Sequence, residues 1–264
     1  MSSERPIALA VVAHPDDAEF MIAGTLLLLQ AAGAEIHLWN LANGCLGTVR
    51  HSREEIAAIR WREAQEAARL AGATAHPPLF DDLGIFYDAR SLARVAAGIR
   101  EIRPTMVFTH PPLDYMEDHQ NAGRLAVTAV FARAMRNFVT EPPRAPFEGS
   151  VALYHSLPHT LCGPLGEPVA PSHFVRIERV LARKRGMLAA HRSQKEWLDA
   201  SQGMDAYLDE MERIAREVGR LSGSFAAAEG FSIHSPVGFS PAGWDPLKAL
   251  LGDEVLLQGG ARYP

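Results

Sequence analysis

A histidine, a proline and two aspartates follow the first apolar run of the chain. The stretch VVAHPDDAEF places His14 next to Asp16 and Asp17, directly after residues 7–13, which are IALAVVA. One interpretation is helix capping, because an aspartate at the start of a helix accepts hydrogen bonds from backbone N–H groups. A single cap needs one carboxylate and leaves His14 unexplained. The competing hypothesis is a site in which the imidazole and the carboxylates do chemistry.

A second group of imidazole and carboxylate side chains follows a later apolar run. The stretch HPPLDYMEDHQNAGR, residues 110–124, contains His119 at the predicted start of a helix. Two histidines and one aspartate form a ligand set that suits Zn²⁺ and leaves one coordination position for water. His14, Asp17 and His119 would therefore hold a hydrolytic zinc ion if the fold brings the two stretches together.

Thiolates contribute nothing to this hypothetical site. The chain has 2 cysteines, Cys45 and Cys162, which are far apart in sequence and show no CxxC spacing. Neither a disulfide framework nor a thiolate zinc site is indicated. The ligands of a metal bound here would be histidine and carboxylate.

Both stretches lie at the carboxyl ends of predicted strands. Continuous apolar runs predict buried strands over residues 7–13, 34–42, 105–110 and 151–156, and helices are predicted over 18–33, 52–72, 90–103 and about 119–137. This alternation predicts an α/β fold with a doubly wound, mostly parallel, Rossmann-like sheet. In such sheets ligands bind beyond the carboxyl ends of the strands, where His14 and His110 are expected.

The alternation weakens in the C-terminal part of the chain. There we predict a Pro/Gly-rich link (157–172), a strand (173–178), helices (179–197 and about 204–221) and a loop over the site or at a subunit contact (222–235). No repeat or composition break indicates a second domain. The prediction is a single domain over 1–264, with a Rossmann-like core over about 7–156 and a C-terminal elaboration over about 157–264.

Composition and charge exclude several function classes. The chain has 264 residues, 47% of them hydrophobic, and a formal net charge of -5, as expected for a globular protein. Without a basic excess, we expect binding to neither nucleic acid nor an anionic membrane, and a small neutral or polar ligand fits better. The N-terminal MSSERPIALAVVAH lacks the features of a secretory signal, and TLLLLQAAG is too short to span a bilayer, which favours a cytoplasmic location.

Several motifs together resemble one known family. AHPDD, RWRE at residues 60–63, the DH pair at 118–119 and KRGMLAAHRSQ at 184–194 are similar to motifs of the PIG-L/LmbE-like de-N-acetylases. Members of this family are zinc enzymes that remove the acetyl group from N-acetylglucosaminyl compounds. The resemblance covers residues 7 to about 200. It implies a small N-acetylglucosamine-containing or related amino-sugar substrate, a Zn²⁺ cofactor and a homo-oligomer.

The resemblance also implies roles for individual residues. His14, Asp17 and His119 would bind zinc, and Asp16 would be the general base. Physical reasoning supports this division, because zinc can polarise an amide carbonyl and lower the pKa of bound water to about 7 while a free carboxylate takes the proton. Arg60 is placed near the substrate, although a surface salt bridge with Glu63 is an equally good interpretation.

One position departs from the family pattern. Many members have HPDH where this chain has MEDH, so Met116 replaces a histidine that assists the tetrahedral intermediate or protonates the leaving amine. Methionine can do neither, and another donor is needed. The candidates come from segments expected near the site and are His110, His155, His159 and His191.

His191 is the preferred catalytic candidate among them, because it lies in the HRSQ motif shared with the family. A position on a helix surface is the alternative. His155 and His159 flank a turn after a predicted strand and are predicted to bind substrate. Tyr115 would line the pocket, with a role at an interface or in packing as the alternative. Asp118 is predicted to act in catalysis by orienting His119 or another imidazole, with helix capping as the alternative.

The leading hypothesis is therefore a zinc-dependent hydrolase that cleaves an N-acetyl amide on an amino sugar, using metal-activated water and Asp16. Met116 motivates two alternatives. The first is a hydrolase of another acylated small metabolite, and the second is a noncatalytic, metal-dependent sugar-binding protein. A dinucleotide-binding protein is disfavoured because no GxGxxG motif follows the first strand.

Overall fold

The structure is a computed structural model that describes residues 5–202 and 207–258, without the side chains of 199–202. The strands are β1 (Ile7–Val12), β2 (Glu35–Asn40), β3 (Thr74–His76), β4 (Met106–Thr109), β5 (Ala152–Ser156), β6 (His173–Arg176), β7 (Ala228–Ile233) and β8 (Val255–Leu257). The helices are α1 (Asp17–Met21), α2 (Ala23–Ala31), α3 (Arg53–Ala71), α4 (Ala89–Ile102), α5 (Glu117–Phe131), α6 (Leu181–Leu188), α7 (Arg192–Gln202), α8 (Tyr207–Ser222) and α9 (Pro246–Leu251). In this part of the chain, no helix has both the length and the apolar character needed to cross a membrane.

The strands form one mixed sheet in the order β3-β2-β1-β4-β5-β7-β6-β8. The pairs from β3 to β5 are parallel, and those that join β7, β6 and β8 to β5 are antiparallel. Alternate residues of β1 face two separate apolar cores, one built with α2, α6 and α8 and the other with α4 and α5. The predicted α/β class, with a mostly parallel sheet covered on both faces, is confirmed.

Helix α3 shows how local sequence sets the bounds of an element. Ser52 and Glu55 form a capping box at its start, and the helix ends at Gly72, whose φ of 67° lies in the left-handed region. The two capping residues, Ser52 and Gly72, are the first and last residues of the helix predicted over 52–72. The helix carries Arg60, a predicted site residue, on its buried side.

The C-terminal part differs from the prediction. Residues 222–235, predicted as a loop over the site or a subunit contact, contain β7, which lies inside the sheet between β5 and β6. The prediction was wrong because β7 contains Glu229 and Gly230, two residue types that are uncommon in strands. The charge of Glu229 is compensated by Lys184, which is distant in sequence. The helix predicted over 179–197 is interrupted between α6 and α7, with His191 in the break. The start of the helix predicted from about residue 204 lies outside the described residues.

A buried ion pair ties the C-terminal strands to the segment that follows the two aspartates. Lys184 Nζ lies 2.7 Å from Glu229 Oε1, and the side chains are 1% and 2% exposed. The same carboxylate accepts hydrogen bonds from the backbone N–H groups of Gly24 and Thr25 in α2. Lys184 also donates to the carbonyl oxygen of Phe20. Strand β7 and helix α6 therefore hold α1 and α2 in place beneath the AHPDD turn.

Glu229→Gln is expected to lower the free energy of unfolding by about 3–5 kcal/mol, because it leaves the buried Lys184 ammonium without its counter-charge. The amide also presents an N–H group where the carboxylate accepted one. Urea unfolding followed by circular dichroism measures the difference. The matched control is Glu217→Gln, since Glu217 pairs with Arg220 on the exposed side of α8 and should contribute little. Equal stability of the two variants would contradict the structural role of the buried pair.

Candidate metal centre

Two adjacent strand ends bring the AHPDD and EDH stretches together. β1 pairs with β4 in parallel, with Val11 opposite Thr109, so the loops after both strands leave from the same edge of the sheet. The backbone N–H of Ala13 donates to His110 Nε2 at 2.9 Å across this gap. Helix α1 begins directly after the first loop and α5 after the second. The side chains at the starts of these helices therefore face a common space.

The three predicted metal ligands meet in this space. Their ligand atoms, from His14, Asp17 and His119, all lie within 4.8 Å of one another. Asp17 Oδ2 is 3.5 Å from His14 Nδ1, and Asp17 Oδ1 is 3.4 Å from His119 Nε2. Asp17 and His119 are buried, 3% and 1% exposed, which shields a bound ion from solvent. These residue types and spacings fit a divalent cation that prefers nitrogen and oxygen ligands.

The nitrogen of each histidine that faces away from Asp17 contacts a further carboxylate. His14 Nε2 lies 3.0 Å from Asp118 Oδ2, and His119 Nδ1 lies 2.9 Å from Asp114 Oδ1. Such contacts fix the ring orientation and the tautomer that a metal site needs. Asp118 thus contacts His14, whereas the sequence analysis paired it first with His119. Asp114 was not predicted, although its position five residues before a predicted histidine ligand was a usable signal.

The pKa shifts in this cluster favour the charged forms of His14, His119 and Asp17. Burial opposes the charged imidazole of His14, but the hydrogen bonds of Asp118 and Asp17 outweigh burial and raise its pKa to about 9. The pKa of His119 is raised to about 10, because Asp17 and Asp114 likewise outweigh burial. Burial acts to raise the pKa of Asp17, but the charges of His119 and His110 hold it well below its usual value. A metal entering this set would displace protons from the imidazoles.

Asp16 points to different partners from those of its neighbour. It occupies the N-cap position of α1, yet its side chain makes no capping hydrogen bond, so the capping interpretation of this residue is wrong. The Tyr207 hydroxyl donates to Asp16 Oδ2 at 2.5 Å, and Arg60 Nη2 lies 3.8 Å from the same oxygen. Burial raises the pKa of Asp16 to about 6, although the Arg60 charge opposes this shift. The two adjacent carboxylates therefore lie in separate environments.

Arg60 lies beneath the AHPDD turn and not on the surface of α3. It is 2% exposed and donates from Nη2 to the carbonyl oxygen of Pro15 at 2.6 Å. The alternative of a surface salt bridge with Glu63 is wrong, because Glu63 accepts hydrogen bonds from Ser193. Gly44 makes room for Arg60, since a Cβ there would lie 2.3 Å from Arg60 Cδ. Arg60 supports the turn that presents Asp16.

His159 and Tyr115 lie at the open side of the cluster. His159 Nε2 is 3.7 Å from Asp17 Oδ1 and, among the described residues, has no hydrogen-bond partner. Burial lowers the pKa of His159 to about 4, so the ring is neutral. The Tyr115 ring packs edge-on against His119 at 5.4 Å and is half exposed. Both side chains border the predicted ligand set and are partly exposed.

His191 and His155 are buried, and their hydrogen-bonding or charged neighbours lie outside the predicted ligand set. His191 is 0% exposed, with Nε2 3.5 Å from Glu19 Oε1, so the alternative of a helix-surface histidine is wrong. His155 donates from Nδ1 to the carbonyl oxygen of His110 at 2.8 Å. Its Nε2 lies 3.0 Å from His234 Nδ1, beside a cavity of about 380 Å³ on the outer face of α5. The catalytic role of His191 and the substrate contact of His155 stay predictions.

Comparisons of sequence relate the chain to deacetylases. Residues 9–130 match the family model PIG-L, described as GlcNAc-PI de-N-acetylase. The chain is 30% identical over 201 residues to a probable N-acetyl-alpha-D-glucosaminyl L-malate deacetylase 2 of Bacillus cereus, covering 71% of this chain and 83% of that protein. It is 31% identical over 165 residues to the 1D-myo-inositol 2-acetamido-2-deoxy-alpha-D-glucopyranoside deacetylase of Segniliparus rotundus, covering 48% of this chain and 51% of that protein. The chain thus spans about half the length of this second relative.

A solved structure of similar fold belongs to a protein named as a hydratase and not as a deacetylase. The structure of GalB, a 4-carboxy-2-hydroxymuconate hydratase from Pseudomonas putida KT2440, matches with a TM-score of 0.73 and 23% identity. The match covers 88% of this chain and 97% of that chain. At this identity the likeness establishes the fold alone.

Proposed function

Because the chain belongs to the PIG-L family, as its motifs indicated, we propose that it is a metal-dependent amide hydrolase that removes an N-acetyl group from a small N-acetylglucosamine-containing compound. The names of the two curated relatives, deacetylases of N-acetylglucosaminyl compounds joined to L-malate and to inositol, support this substrate class. One observation carries the proposal. His14, Asp17 and His119 converge within 4.8 Å beside a second buried carboxylate that belongs to Asp16.

The metal of the proposal is Zn²⁺, held by His14, Asp17 and His119. Zinc bound there would polarise the amide carbonyl and lower the pKa of a water molecule to about 7. Asp118 and Asp114 orient the two imidazoles through the hydrogen bonds at 3.0 and 2.9 Å. Burial of the cluster keeps competing water away and strengthens these interactions.

Asp16 is the general base of the proposal. Asp17 is committed to the histidines, with His110, His119 and His14 all within 3.5 Å of its oxygens. The carboxylate of Asp16 contacts none of these rings through a short hydrogen bond and is free to take the proton of the attacking water. The adjacent aspartates thus have separate tasks, one as a ligand and one as a proton acceptor.

Met116 cannot donate a proton or a hydrogen bond to the reacting amide, and the proposal assigns this task to His159. Its Nε2 is buried, has no hydrogen-bond partner among the described residues and lies 3.7 Å from a ligand oxygen of Asp17. As a neutral ring with a protonated Nε2, it can donate to the carbonyl oxygen that gains charge or to the leaving nitrogen. His191 is 0% exposed, which favours a supporting contact with Glu19 over contact with substrate.

His159→Gln is expected to lower kcat for acetate release about 100-fold, the typical cost of removing one donor to a developing oxyanion. The bound metal should stay unchanged, because His159 is not one of the three ligands. Steady-state kinetics and metal analysis by mass spectrometry measure both quantities. His76→Gln is the matched control, since His76 lies on the edge strand β3 and contacts His37 of β2. Equal kcat for His159→Gln and the wild type would remove His159 from the reaction.

The proposed activity is tested by acetate release from N-acetylglucosaminyl-inositol and N-acetylglucosaminyl-malate. We expect multiple turnovers that stop after treatment with a chelator and return when Zn²⁺ is added. Free N-acetylglucosamine in the same assay shows whether the group attached to the sugar contributes to binding. A metal-loaded protein that releases no acetate from any of these compounds would refute the proposal.

Met116 favours a second candidate, a hydrolase of another acylated small metabolite. The backbone N–H of Met116 is bonded to Asp114 at the start of α5, so a thioether takes the position where many family members have a histidine. A panel of N-acyl, ester and carbamoyl compounds separates the candidates. Turnover of esters without turnover of amides would select the second, and binding of sugars without any turnover would select a noncatalytic protein.

Three further features remain predictions from the sequence. They are the single domain over residues 1–264, the homo-oligomer and the cytoplasmic location. Light scattering during size-exclusion chromatography measures the oligomeric state, and a mass of one chain would refute the homo-oligomer.

A further inference from the structure

A tyrosine from the C-terminal part of the chain contacts Asp16. Tyr207, the first residue of α8, donates its hydroxyl hydrogen to Asp16 Oδ2 at 2.5 Å. The two residues are 191 positions apart, and the sequence analysis did not single out Tyr207. Its side chain is buried, and its ring packs edge-on against Phe20 at 5.2 Å. The contact is a buried, charge-assisted hydrogen bond of the strong class.

The contact makes the two oxygens of Asp16 unequal. Oδ2 accepts the hydroxyl of Tyr207 and also lies 3.8 Å from Arg60 Nη2. For Oδ1, no hydrogen-bond donor is found in the parts of the chain that the structure describes. An oxygen that already holds a strong donor is a poorer proton acceptor than its free neighbour. The oxygen that can accept a proton is therefore Oδ1, and the orientation of the carboxylate decides where it points.

The backbone of Asp16 also needs support from its surroundings. Its φ of 108° lies in the positive region that residues with a side chain rarely adopt. Such a conformation persists only where surrounding contacts hold it. Arg60 holds the carbonyl oxygen of the preceding Pro15, and Tyr207 holds the carboxylate. Together these contacts hold the peptide group that precedes Asp16 and the carboxylate of its side chain.

We propose that Tyr207 is a positioning residue that holds Asp16 Oδ2 and so presents Oδ1 to the attacking water. The proposal rests on the proposed function, in which Asp16 is the general base. Tyr207 does not touch the substrate and acts only through Asp16. The C-terminal helix α8 is then a part of the catalytic arrangement as well as of the apolar core.

Tyr207→Phe tests this proposal, with Tyr154→Phe as the matched control. Tyr154 is 0% exposed and donates its hydroxyl hydrogen to Asp245 at 2.7 Å, so both variants remove a hydrogen bond from a buried tyrosine to an aspartate. We expect Tyr207→Phe to lower kcat about tenfold or more, from the loss of a hydrogen bond to a charged group. KM should change less than twofold, and the metal content should stay that of the wild type. Tyr154→Phe should lower the melting temperature and leave kcat unchanged.

Two kinetic outcomes would overturn the proposal. One is a Tyr207→Phe enzyme with the kcat of the wild type. The other is the same loss of kcat in Tyr154→Phe, because a general loss of stability would then explain both.

A second measurement does not depend on turnover. A short hydrogen bond shields its proton from exchange, so the Tyr207 hydroxyl should give a downfield proton NMR signal that Tyr207→Phe removes and Asp16→Asn shifts upfield. A wild-type protein without deacetylase activity would refute the proposed function, while this signal would still test the contact. Absence of the signal in the wild type would overturn the contact and, with it, the positioning role.

Discussion

Asp16→Asn is expected to lower kcat for acetate release by about 10³-fold, within the range that general base catalysis contributes. Asparagine has nearly the same shape as aspartate and can still accept the hydrogen bond from Tyr207, so the turn should keep its conformation. Its amide cannot take a proton from water at neutral pH. Because Asp16 is not among the three converging ligand groups, the protein should keep its metal. Single-turnover kinetics with metal analysis of the same sample measure both effects.

The control for this change is Asp209→Asn, which alters an exposed aspartate that pairs with Arg185 at the surface. It should leave kcat and metal content as in the wild type. Loss of metal from Asp16→Asn would show that Asp16 is a ligand and that the two aspartates exchange roles. Undiminished kcat in Asp16→Asn would remove the general base from the mechanism.

Asp17→Ala is expected to abolish activity through loss of the metal, with affinity for Zn²⁺ reduced by more than 100-fold. The aspartate supplies the one anionic ligand, and its carboxylate also lies within 3.7 Å of His110, His119 and His159. Removing it takes away the carboxylate that lies between these imidazoles and, in the described part of the chain, leaves only Asp118 and Asp114 in contact with His14 and His119. Competition with a chromogenic chelator measures the affinity, and excess Zn²⁺ should restore little activity.

Asp118→Asn provides the comparison for Asp17→Ala. Asp118 contacts His14 Nε2 and does not belong to the proposed ligand set, so its loss should weaken metal binding only about 10- to 100-fold. The expected order of metal affinity is then Asp16→Asn, Asp118→Asn and Asp17→Ala, from tightest to weakest. Wild-type affinity in Asp17→Ala would refute the proposed ligand set.

The sequence predicted the parts of the fold that local pattern determines. β1, β4 and β5 lie within the ranges predicted for strands, and α3 lies within the range 52–72 predicted for a helix. The closeness of His14 and His119 also followed, because both lie beyond the carboxyl ends of adjacent parallel strands. Short strands such as β3 and β8 went unpredicted because three residues carry too little pattern.

Other features depend on partners that no local pattern reveals. Strand β7 contains Glu229, a residue typical of surfaces, and its burial becomes understandable only with Lys184 beside it. The HRSQ motif shared with the family pointed to His191 without showing that the side chain is fully enclosed. Tyr207 gave no sequence signal, because its contact with Asp16 depends on how α8 packs against α1.

The long-range contact of Tyr207 has a consequence for anyone who would transplant this site into a smaller scaffold. The family model matches residues 9–130, and that segment alone contains the three proposed metal ligands and Asp16. The hydroxyl that orients Asp16 comes from position 207, and the lysine that anchors the segment after the turn comes from position 184. A graft limited to the matched segment would bind a metal but aim its carboxylate poorly. A minimal transferable unit must therefore include both halves of the polypeptide.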